Sequence, residues 1–269
     1  RMLSIFPGWV FYLLAGIIGA ILGSFANVCI VRIPEGKSVV RPGSRCPSCG
    51  HAIRPWENIP LISYIFLRGR CSSCGNRISI TYPMVELLSI VMAIAIWHHF
   101  MEPVQFFIYL ILFVIPLIIA AFIDIRHMII PDSISLTGIV TGFLATLYLN
   151  EKGSYAASAL DSILGILIGG GLLFLVAYSY EKIKKREGLG GGDIKLAAMF
   201  GAFFGWRGAL VILFLSSIAG SVIGLGLMLF YSKDSKAPIP YGPFLVLAAI
   251  FYLFFGELVV NWYFGLFLR

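Results

Sequence analysis

Residues 105–123 read QFFIYLILFVIPLIIAAFI, a run without a charged side chain that ends directly before Asp124. A helix needs about 20 predominantly apolar residues to cross the hydrocarbon core of a bilayer. The run therefore predicts a membrane-spanning helix with a carboxylate at one end. Charged side chains so close to hydrocarbon are costly, and they are usually functional or paired.

Apolar runs of the same kind fill most of the chain. Only 12% of the 269 residues are charged, about half of the fraction expected in a soluble domain. This excludes an ordinary soluble enzyme, a disordered tail and a secreted disulfide scaffold, and it predicts an all-α polytopic membrane protein. About eight transmembrane helices are expected, at approximately 9–31, 84–100, 105–123, 133–149, 160–180, 194–206, 209–231 and 243–265. The first run is too long for the core of a signal peptide.

One polar segment, residues 32–82, separates the first run from the second and is predicted to fold outside the bilayer. The predicted domains are the first transmembrane helix (1–31), this small polar domain (32–82) and a membrane core (83–269). With the N-terminus outside, the outer loops keep few of the 20 lysines and arginines, namely Arg1, Lys152, Arg207 and Arg269. Because basic residues collect on the cytoplasmic side of membrane proteins, both termini are expected outside and the polar domain in the cytoplasm. Topology and contact with membrane lipid then explain the net charge of +7 without nucleic acid.

Two CxxC pairs lie in the polar segment, Cys46-Pro-Ser-Cys49 and Cys71-Ser-Ser-Cys74. Four thiolates in two such pairs suit tetrahedral zinc, and a closed four-cysteine site is structural rather than catalytic. Each pair is followed by a glycine, which permits the turn that a zinc knuckle needs. A redox thiol pair is the alternative, although one CxxC would suffice for it. Cys29, in the first run, is expected to be a buried apolar residue.

Asp124 and Asp193 are both predicted at the cytoplasmic mouth of the helix bundle. Two adjacent carboxylates do not ionise together easily, so one keeps a proton while the other serves as a base. Such a pair can activate water against a peptide carbonyl. Before Asp193, the glycines Gly190, Gly191 and Gly192 would let an extended substrate backbone approach closely. A phosphate loop is a weaker interpretation, because no GK[ST] motif or βαβ pattern accompanies them.

The acidic residues also permit simpler interpretations. Asp124 could be an interfacial charge beside Arg126, and Asp193 could cap the helix that follows it. Asp132, after a proline, is well placed to cap the next helix. Glu86 could be a buried hydrogen-bonding residue or a site residue, and the sequence does not decide between these roles.

Two other classes of function remain open from the residues alone. An ion-coupled membrane transporter with a zinc-stabilised cytoplasmic loop would share the membrane carboxylates and the glycine-interrupted helices. Against a transporter, the hydropathy pattern has no obvious internal repeat, and the carboxylates are predicted at one face rather than at the midplane. A zinc-domain scaffold without catalysis would leave the carboxylates without a chemical role.

Several segments, in chain order, match one known pattern. They are residues 23–28 (GSFANV) with 32–34 (RIP), 57–64 (ENIPLISY) between the cysteine pairs, 82–86 (YPMVE), 124–132 (DIRHMIIPD), 190–196 (GGGDIKL) and 239–244 (IPYGPF). In these segments the chain resembles the bacterial type IV prepilin peptidases, the membrane aspartyl proteases with the GxGD signature. The segments span nearly the whole chain, so the match is more specific than any single motif.

The resemblance implies that Asp124 and Asp193 are the catalytic aspartates, whereas Asp132 is not usually catalytic. It implies cleavage of the basic leader of type IV prepilins or of type II secretion pseudopilins, after a glycine, at the cytoplasmic face of the bacterial inner membrane. Members with the cysteine domain usually also methylate the new N-terminus with S-adenosylmethionine, for which the sequence identifies no binding residues. The apolar helix of a prepilin could pack against small residues such as Gly165 and Gly220, unless these only pack the enzyme's own helices.

Overall fold

Helices make up all the long elements of the chain. The computed structural model describes residues 7–151, 158–185, 188–231 and 240–267. The α-helices of these residues are α1 (Gly8–Arg32), α2 (Ile62–Phe66), α3 (Thr81–Phe100), α4 (Pro103–Phe107), α5 (Ile115–His127), α6 (Asp132–Glu151), α7 (Ala159–Lys184), α8 (Gly191–Tyr231) and α9 (Gly242–Phe267). A 3₁₀ turn at Pro55–Asn58, a π-helical segment at Ile108–Val114 and two isolated antiparallel bridges in the cysteine segment complete the regular structure described.

Seven helices of the described residues are long and apolar enough to cross a membrane. They are α1, α3, the continuous run from α4 to α5, α6, α7, α8 and α9. This confirms the all-α polytopic membrane class. The predicted spans 194–206 and 209–231 are counted together in α8, whose helical backbone is broken between them at Gly205.

Some residues of the sequence argument lie outside the described part of the chain. They are Arg1, Lys152, Arg186, Lys233, Lys236, Ile239 and Arg269. The orientation that rests on these charges therefore stays a prediction, as does the division at residues 31 and 82. By contact density the chain divides into two compact units, the first ending at Ile119 and the second beginning at Ala120.

In the first unit, α1 and α3 pack closely where α1 carries glycine. A Cβ at Gly19 would lie 2.6 Å from the carbonyl oxygen of Ser89, so no larger residue fits there. One helical turn later, a Cβ at Gly23 would be 2.9 Å from the Cα of Glu86. Asn27 then donates from Nδ2 to the carbonyl oxygen of Tyr82 at 3.0 Å. Within the segment 23–28, Gly23 and Asn27 therefore hold α1 against α3.

In the second unit, α8 folds back on itself at Gly205. A straight helix of its 41 residues would be about 60 Å long, roughly twice the hydrocarbon thickness of a bilayer. Gly205 has φ 70° and ψ −175°, outside the helical region. A Cβ at Gly169 would lie 3.1 Å from the carbonyl carbon of Ala197 and 3.3 Å from the Cβ of Ala209. Ala197 and Ala209, which lie on either side of Gly205, thus both lie against Gly169, so the chain reverses direction between them and the two parts of α8 are antiparallel. We call residues 191–204 the first arm of α8 and residues 206–231 the second arm.

At the end of the first arm, the backbone carbonyl groups lack the N–H donors that a further helical turn would supply. Two neighbouring helices supply hydrogen-bond donors instead. Thr146 of α6 donates from its hydroxyl to the Ala202 carbonyl at 2.9 Å, and Ser162 of α7 donates to the same oxygen at 2.8 Å. An unsatisfied carbonyl in hydrocarbon costs several kcal/mol, so these two buried hydroxyls stabilise the break.

Small residues of α7 face the first arm of α8. The position of a Cβ at Gly201 overlaps the carbonyl oxygen of Gly165, and a Cβ at Gly165 would overlap the carbonyl of Gly201. Gly169 packs against Ala197 in the same way. For these positions the interpretation that glycine packs the protein's own helices is correct. Gly171 differs, since a Cβ there would meet nothing within 4 Å.

We expect Gly201→Ala to destabilise the protein, because its methyl group would collide with the backbone of α7 rather than with a movable side chain. Overpacking of this kind costs about 1–3 kcal/mol. The measurement is the midpoint of unfolding in a detergent titration. Gly171→Ala is the matched control and should be neutral or slightly stabilising, since alanine favours helix by up to about 1 kcal/mol. Equal midpoints for the two variants would contradict the packing described.

Candidate active site and metal centre

Asp124 lies in the last turn of α5, and its side chain is buried with 5% exposure. Its Oδ2 accepts a hydrogen bond from the backbone N–H of Gly242 at 3.0 Å, which joins the end of α5 to the start of α9. A Cβ at position 242 would lie 2.6 Å from that oxygen. Glycine is therefore required at position 242 for so close an approach. Within the described residues, Asp124 forms no ion pair with Arg126.

Asp193 lies in the first turn of α8 and is 9% exposed. Its backbone N–H donates to the carbonyl of Gly190 at 3.1 Å. Its Oδ1 is fully buried and has no hydrogen-bond partner among the described residues. Asp193 is thus a residue of the helix rather than a cap in front of it. A buried carboxylate oxygen without a partner is a group that a substrate or a water molecule can satisfy.

Ile130 lies against a chain neighbour of Asp193 and against the glycine that bonds to Asp124. Its Cβ is 2.8 Å from the position of a Cβ at Gly192, beside Asp193. Its Cδ1 is 3.1 Å from the position of a Cβ at Gly242, which holds Asp124. Two buried carboxyl groups, 69 positions apart in the chain, therefore stand in one site.

The three glycines before Asp193 have different surroundings. A Cβ at Gly190 would lie 3.3 Å from the Oδ2 of Asp193, and Gly192 packs on Ile130. Gly191 meets nothing within 4 Å, so space is open beside it. Of the three predicted loop glycines, Gly190 therefore borders the carboxyl group of Asp193, Gly192 borders Ile130, and Gly191 borders open space.

Asp132 stands apart from the buried pair. It is the first residue of α6, and its Oδ1 lies 2.6 Å from the Nζ of Lys195 in a largely exposed ion pair. Lys195 follows Asp193 by two residues, so this pair ties the start of α6 to the start of α8. Asp132 was predicted to cap α6, but the N–H groups of Ile134 and Ser135 donate to the Pro131 carbonyl instead. The Asp132 carboxylate pairs with Lys195.

Glu86 is a buried hydrogen-bonding residue of the first unit. Its Oε2 accepts from the backbone N–H of Leu61 at 2.8 Å. Leu61 has φ 59°, a conformation uncommon for a residue with a side chain. The Glu86 carboxylate therefore anchors the segment between the two cysteine pairs to helix α3.

The four cysteines of the CxxC pairs converge. One sulfur atom from each of Cys46, Cys49, Cys71 and Cys74 lies within 4.8 Å of the others, an arrangement that could hold a metal ion such as zinc. Each glycine after a pair has positive φ, 72° at position 50 and 69° at position 75, as a knuckle turn requires. The N–H of each of these glycines donates back to the first cysteine of its pair, at 2.9 and 3.0 Å. Cys29 is buried in α1 and is not a member of the cluster.

Glu57 stabilises the turn between the pairs. Its Oε2 accepts from the backbone N–H of Arg54 at 2.9 Å and lies 3.2 Å from Nε2 of His51. The Arg54 N–H, the Ser72 hydroxyl and His51 together lower the pKa of Glu57 to about 2. His51 faces this carboxylate rather than the sulfur cluster, so the four cysteines are the group that could hold a metal ion.

The sequence argument missed two contributors to the site, Gly242 and Ile130. Gly242 precedes Pro243, and a glycine beside a proline at the start of an apolar run marks a helix N-terminus. That signal locates an exposed N–H but not its acceptor, 118 residues earlier. Ile130 carries no signal, because an apolar residue between Asp124 and Pro131 has no distinguishing chemistry.

Two protein-family models match the chain. The family model described as "Bacterial Peptidase A24 N-terminal domain" matches residues 17–100, and the model described as "Type IV leader peptidase family" matches residues 110–225. No solved structure matches the chain.

Curated relatives cover almost the whole chain. A protein of Aeromonas salmonicida is 31% identical over 95% of this chain and 94% of its own length. A protein of Stutzerimonas stutzeri is 36% identical over 94% of this chain and 93% of its own length, and one of Pseudomonas aeruginosa is 34% identical over the same shares. All three relatives are called prepilin leader peptidase/N-methyltransferase. The chain therefore belongs to the type IV leader peptidase family.

Proposed function

We propose that this protein is an endopeptidase that removes the basic leader of type IV prepilins or type II secretion pseudopilins, cutting after a glycine. The observation that carries the proposal is that Ile130 packs against both Gly192, beside Asp193, and Gly242, whose N–H bonds to Asp124, which brings two buried carboxyl groups into one site. The matched peptidase family supports this function over an ion-coupled transporter.

Hydrolysis at this pair needs one carboxylate as a base and one carboxyl group as a proton donor. The base takes a proton from a water molecule, which attacks the carbonyl carbon of the scissile peptide. The donor passes its proton to the carbonyl oxygen, which gives a tetrahedral gem-diol. The first carboxyl group then gives the proton that it took from water to the leaving nitrogen as the C–N bond breaks, and a gem-diol hydroxyl returns a proton to the donor, so that the leader carboxylic acid and the new N-terminal amine are released. The Gly242 N–H orients Asp124 through its Oδ2, while Oδ1 of Asp193 is left for water or substrate. The open space at Gly191 is where we place the approach of an extended substrate backbone.

The position of the pair suits a substrate that crosses the membrane boundary. Asp124 lies in the last turn of α5 and Asp193 in the first turn of α8. Both carboxyl groups thus stand at helix ends, where the chain leaves the hydrocarbon and water is available. A prepilin carries a basic leader ahead of its apolar helix, so its scissile bond lies at such a boundary. We place this boundary at the cytoplasmic face of the bacterial inner membrane, with the cysteine segment on that side and both termini outside.

A second activity is proposed on the names of the relatives, which include N-methyltransferase. The donor would be S-adenosylmethionine and the acceptor the amino group that cleavage releases. The cysteine cluster would hold structural zinc, because four thiolates leave no open position for catalysis.

The isosteric variants Asp124→Asn and Asp193→Asn should each lower the rate of leader cleavage by about 10²-fold or more, since each removes one of the two proton-transfer groups. The measurement is the appearance of mature pilin by mass spectrometry, with purified protein and a prepilin. Asp132→Asn is the matched control and should cleave, because its exposed ion pair is worth about 0–1 kcal/mol. Processing by Asp193→Asn at the wild-type rate would overturn the assignment.

Adding S-adenosylmethionine to the wild-type reaction should shift the product mass by one methyl group on the new N-terminal residue. Asp193→Asn should methylate a synthetic mature pilin yet fail to cleave the prepilin, since the methyl transfer does not use the aspartate pair. An unchanged product mass at saturating S-adenosylmethionine would contradict the second activity.

Cys71→Ser should bring bound zinc well below one ion per chain, because a structural site needs all four ligands. Loss of the metal should also expose residues 32–82 to proteolysis, since metal binding and folding are coupled in such small sites. Elemental analysis and limited proteolysis provide the readouts, and Cys29→Ala is the control that should retain the metal. Wild-type protein purified without any zinc would contradict this role for the cluster.

A further inference from the structure

The second unit contains a cleft of about 640 Å³ between α7 and the second arm of α8. Leu172 and Val176 line it from α7, and Leu213 and Phe214 line it from the second arm. The side chains at its rim are well exposed, Phe214 at 66%. A pocket of this size falls in the range of ligand sites, and in a membrane protein an apolar cleft at this surface faces lipid.

Two residues that line the cleft belong to the chain segments that hold the aspartate pair. Leu189, which lines the cleft, directly precedes the three glycines before Asp193. Tyr241, which also lines it, directly precedes Gly242, whose N–H bonds to Asp124. The cleft is therefore continuous with the two chain segments that hold the carboxyl groups.

The cleft also offers hydrogen-bond acceptors. The Tyr241 hydroxyl lies 2.7 Å from Oγ of Ser216 and 3.3 Å from Oγ of Ser217. Both serine hydroxyls donate to the carbonyl of Leu213, at 3.0 and 2.7 Å. Tyr241 consequently donates to a serine, and its oxygen keeps lone pairs that can accept from a ligand.

Among the residues that the structure describes, no charged side chain lines the cleft. This described lining offers no carboxylate to a basic leader, and its apolar side chains suit an apolar helix. The first turn of any helix has four N–H groups without intrahelical partners, and in hydrocarbon these need acceptors. An apolar helix entering with its N-terminus at Tyr241 would find both an apolar wall and acceptors for that first turn.

We propose that this cleft receives the apolar helix of the prepilin directly after the scissile bond. The proposal rests on the proposed function, since it identifies the surface that delivers the substrate to the aspartate pair. Docking there would place the first residues of the mature pilin beside Leu189 and Tyr241, within reach of the carboxyl groups. A lipid acyl chain is the competing occupant, and the experiment below separates the two.

Gly220→Phe tests the cleft by filling it. Position 220 lines the cleft, and a Cβ there would lie 3.6 Å from the Phe244 ring and 3.8 Å from Tyr241, which is ordinary contact. The variant should raise KM for prepilin about tenfold and change kcat little, because it removes binding shared by the ground and transition states. Val222→Phe is the matched control, on the same arm at a position that is 63% exposed and outside the cleft lining. Equal KM values for the two variants would overturn the proposal.

Photocrosslinking provides a readout that needs no turnover and does not depend on how well Gly220→Phe folds. In an Asp193→Asn background, a benzophenone amino acid replaces Phe214 or Val222, and the protein is irradiated with prepilin in lipid nanodiscs. Crosslinks to the pilin helix from position 214 but not from position 222 are expected. Crosslinks to lipid alone from position 214 would assign the cleft to acyl chains and overturn the proposal. Failure of the proposed function would appear differently, as a wild-type protein that leaves prepilin uncut.

Discussion

Burial requires this protein to satisfy its polar groups internally, and the hydrogen bond from the Gly242 N–H to Asp124 is the central case. It gives a helix N-terminus an acceptor and gives a buried carboxylate a donor, so neither group is left unpaired inside the protein. It also joins α9 to α5, which are far apart in the chain. The open side of the site is then defined by Asp193, whose Oδ1 has no partner among the described residues.

The position of Asp193 depends on the reversal of α8. Gly205 turns the chain, and the hydroxyls of Thr146 and Ser162 satisfy the Ala202 carbonyl that the reversal exposes. The glycines of α7 bring that helix into backbone contact with the first arm. Close packing of small residues is the means by which membrane helices associate without a hydrophobic driving force. This packing of the first arm keeps Asp193 buried, with the neighbouring Gly192 against Ile130.

The polar segment of the first unit is stabilised in a different way, because it has too few apolar residues to form a hydrophobic core. The four cysteines, the turn held by Glu57 and the bond from Leu61 to Glu86 replace that core. The sequence predicted the cysteine cluster, since CxxC spacing and the following glycines are local signals. It left the role of Glu86 open, because a carboxyl group at a membrane boundary serves structure or chemistry equally well until its partner is known.

The sequence by itself determined the all-α membrane class, the family, the cysteine cluster and the choice of Asp124 and Asp193, because hydropathy, spacing and motifs are local properties of the chain. Only the tertiary structure decided that the predicted sixth and seventh spans reverse direction at Gly205, that Gly242 and Ile130 complete the site, and that Asp132 pairs with Lys195. Each of these depends on contacts between distant residues. A backbone N–H, a glycine Cα and an isoleucine side chain have no composition signal of their own, so only their positions in space reveal what they contact.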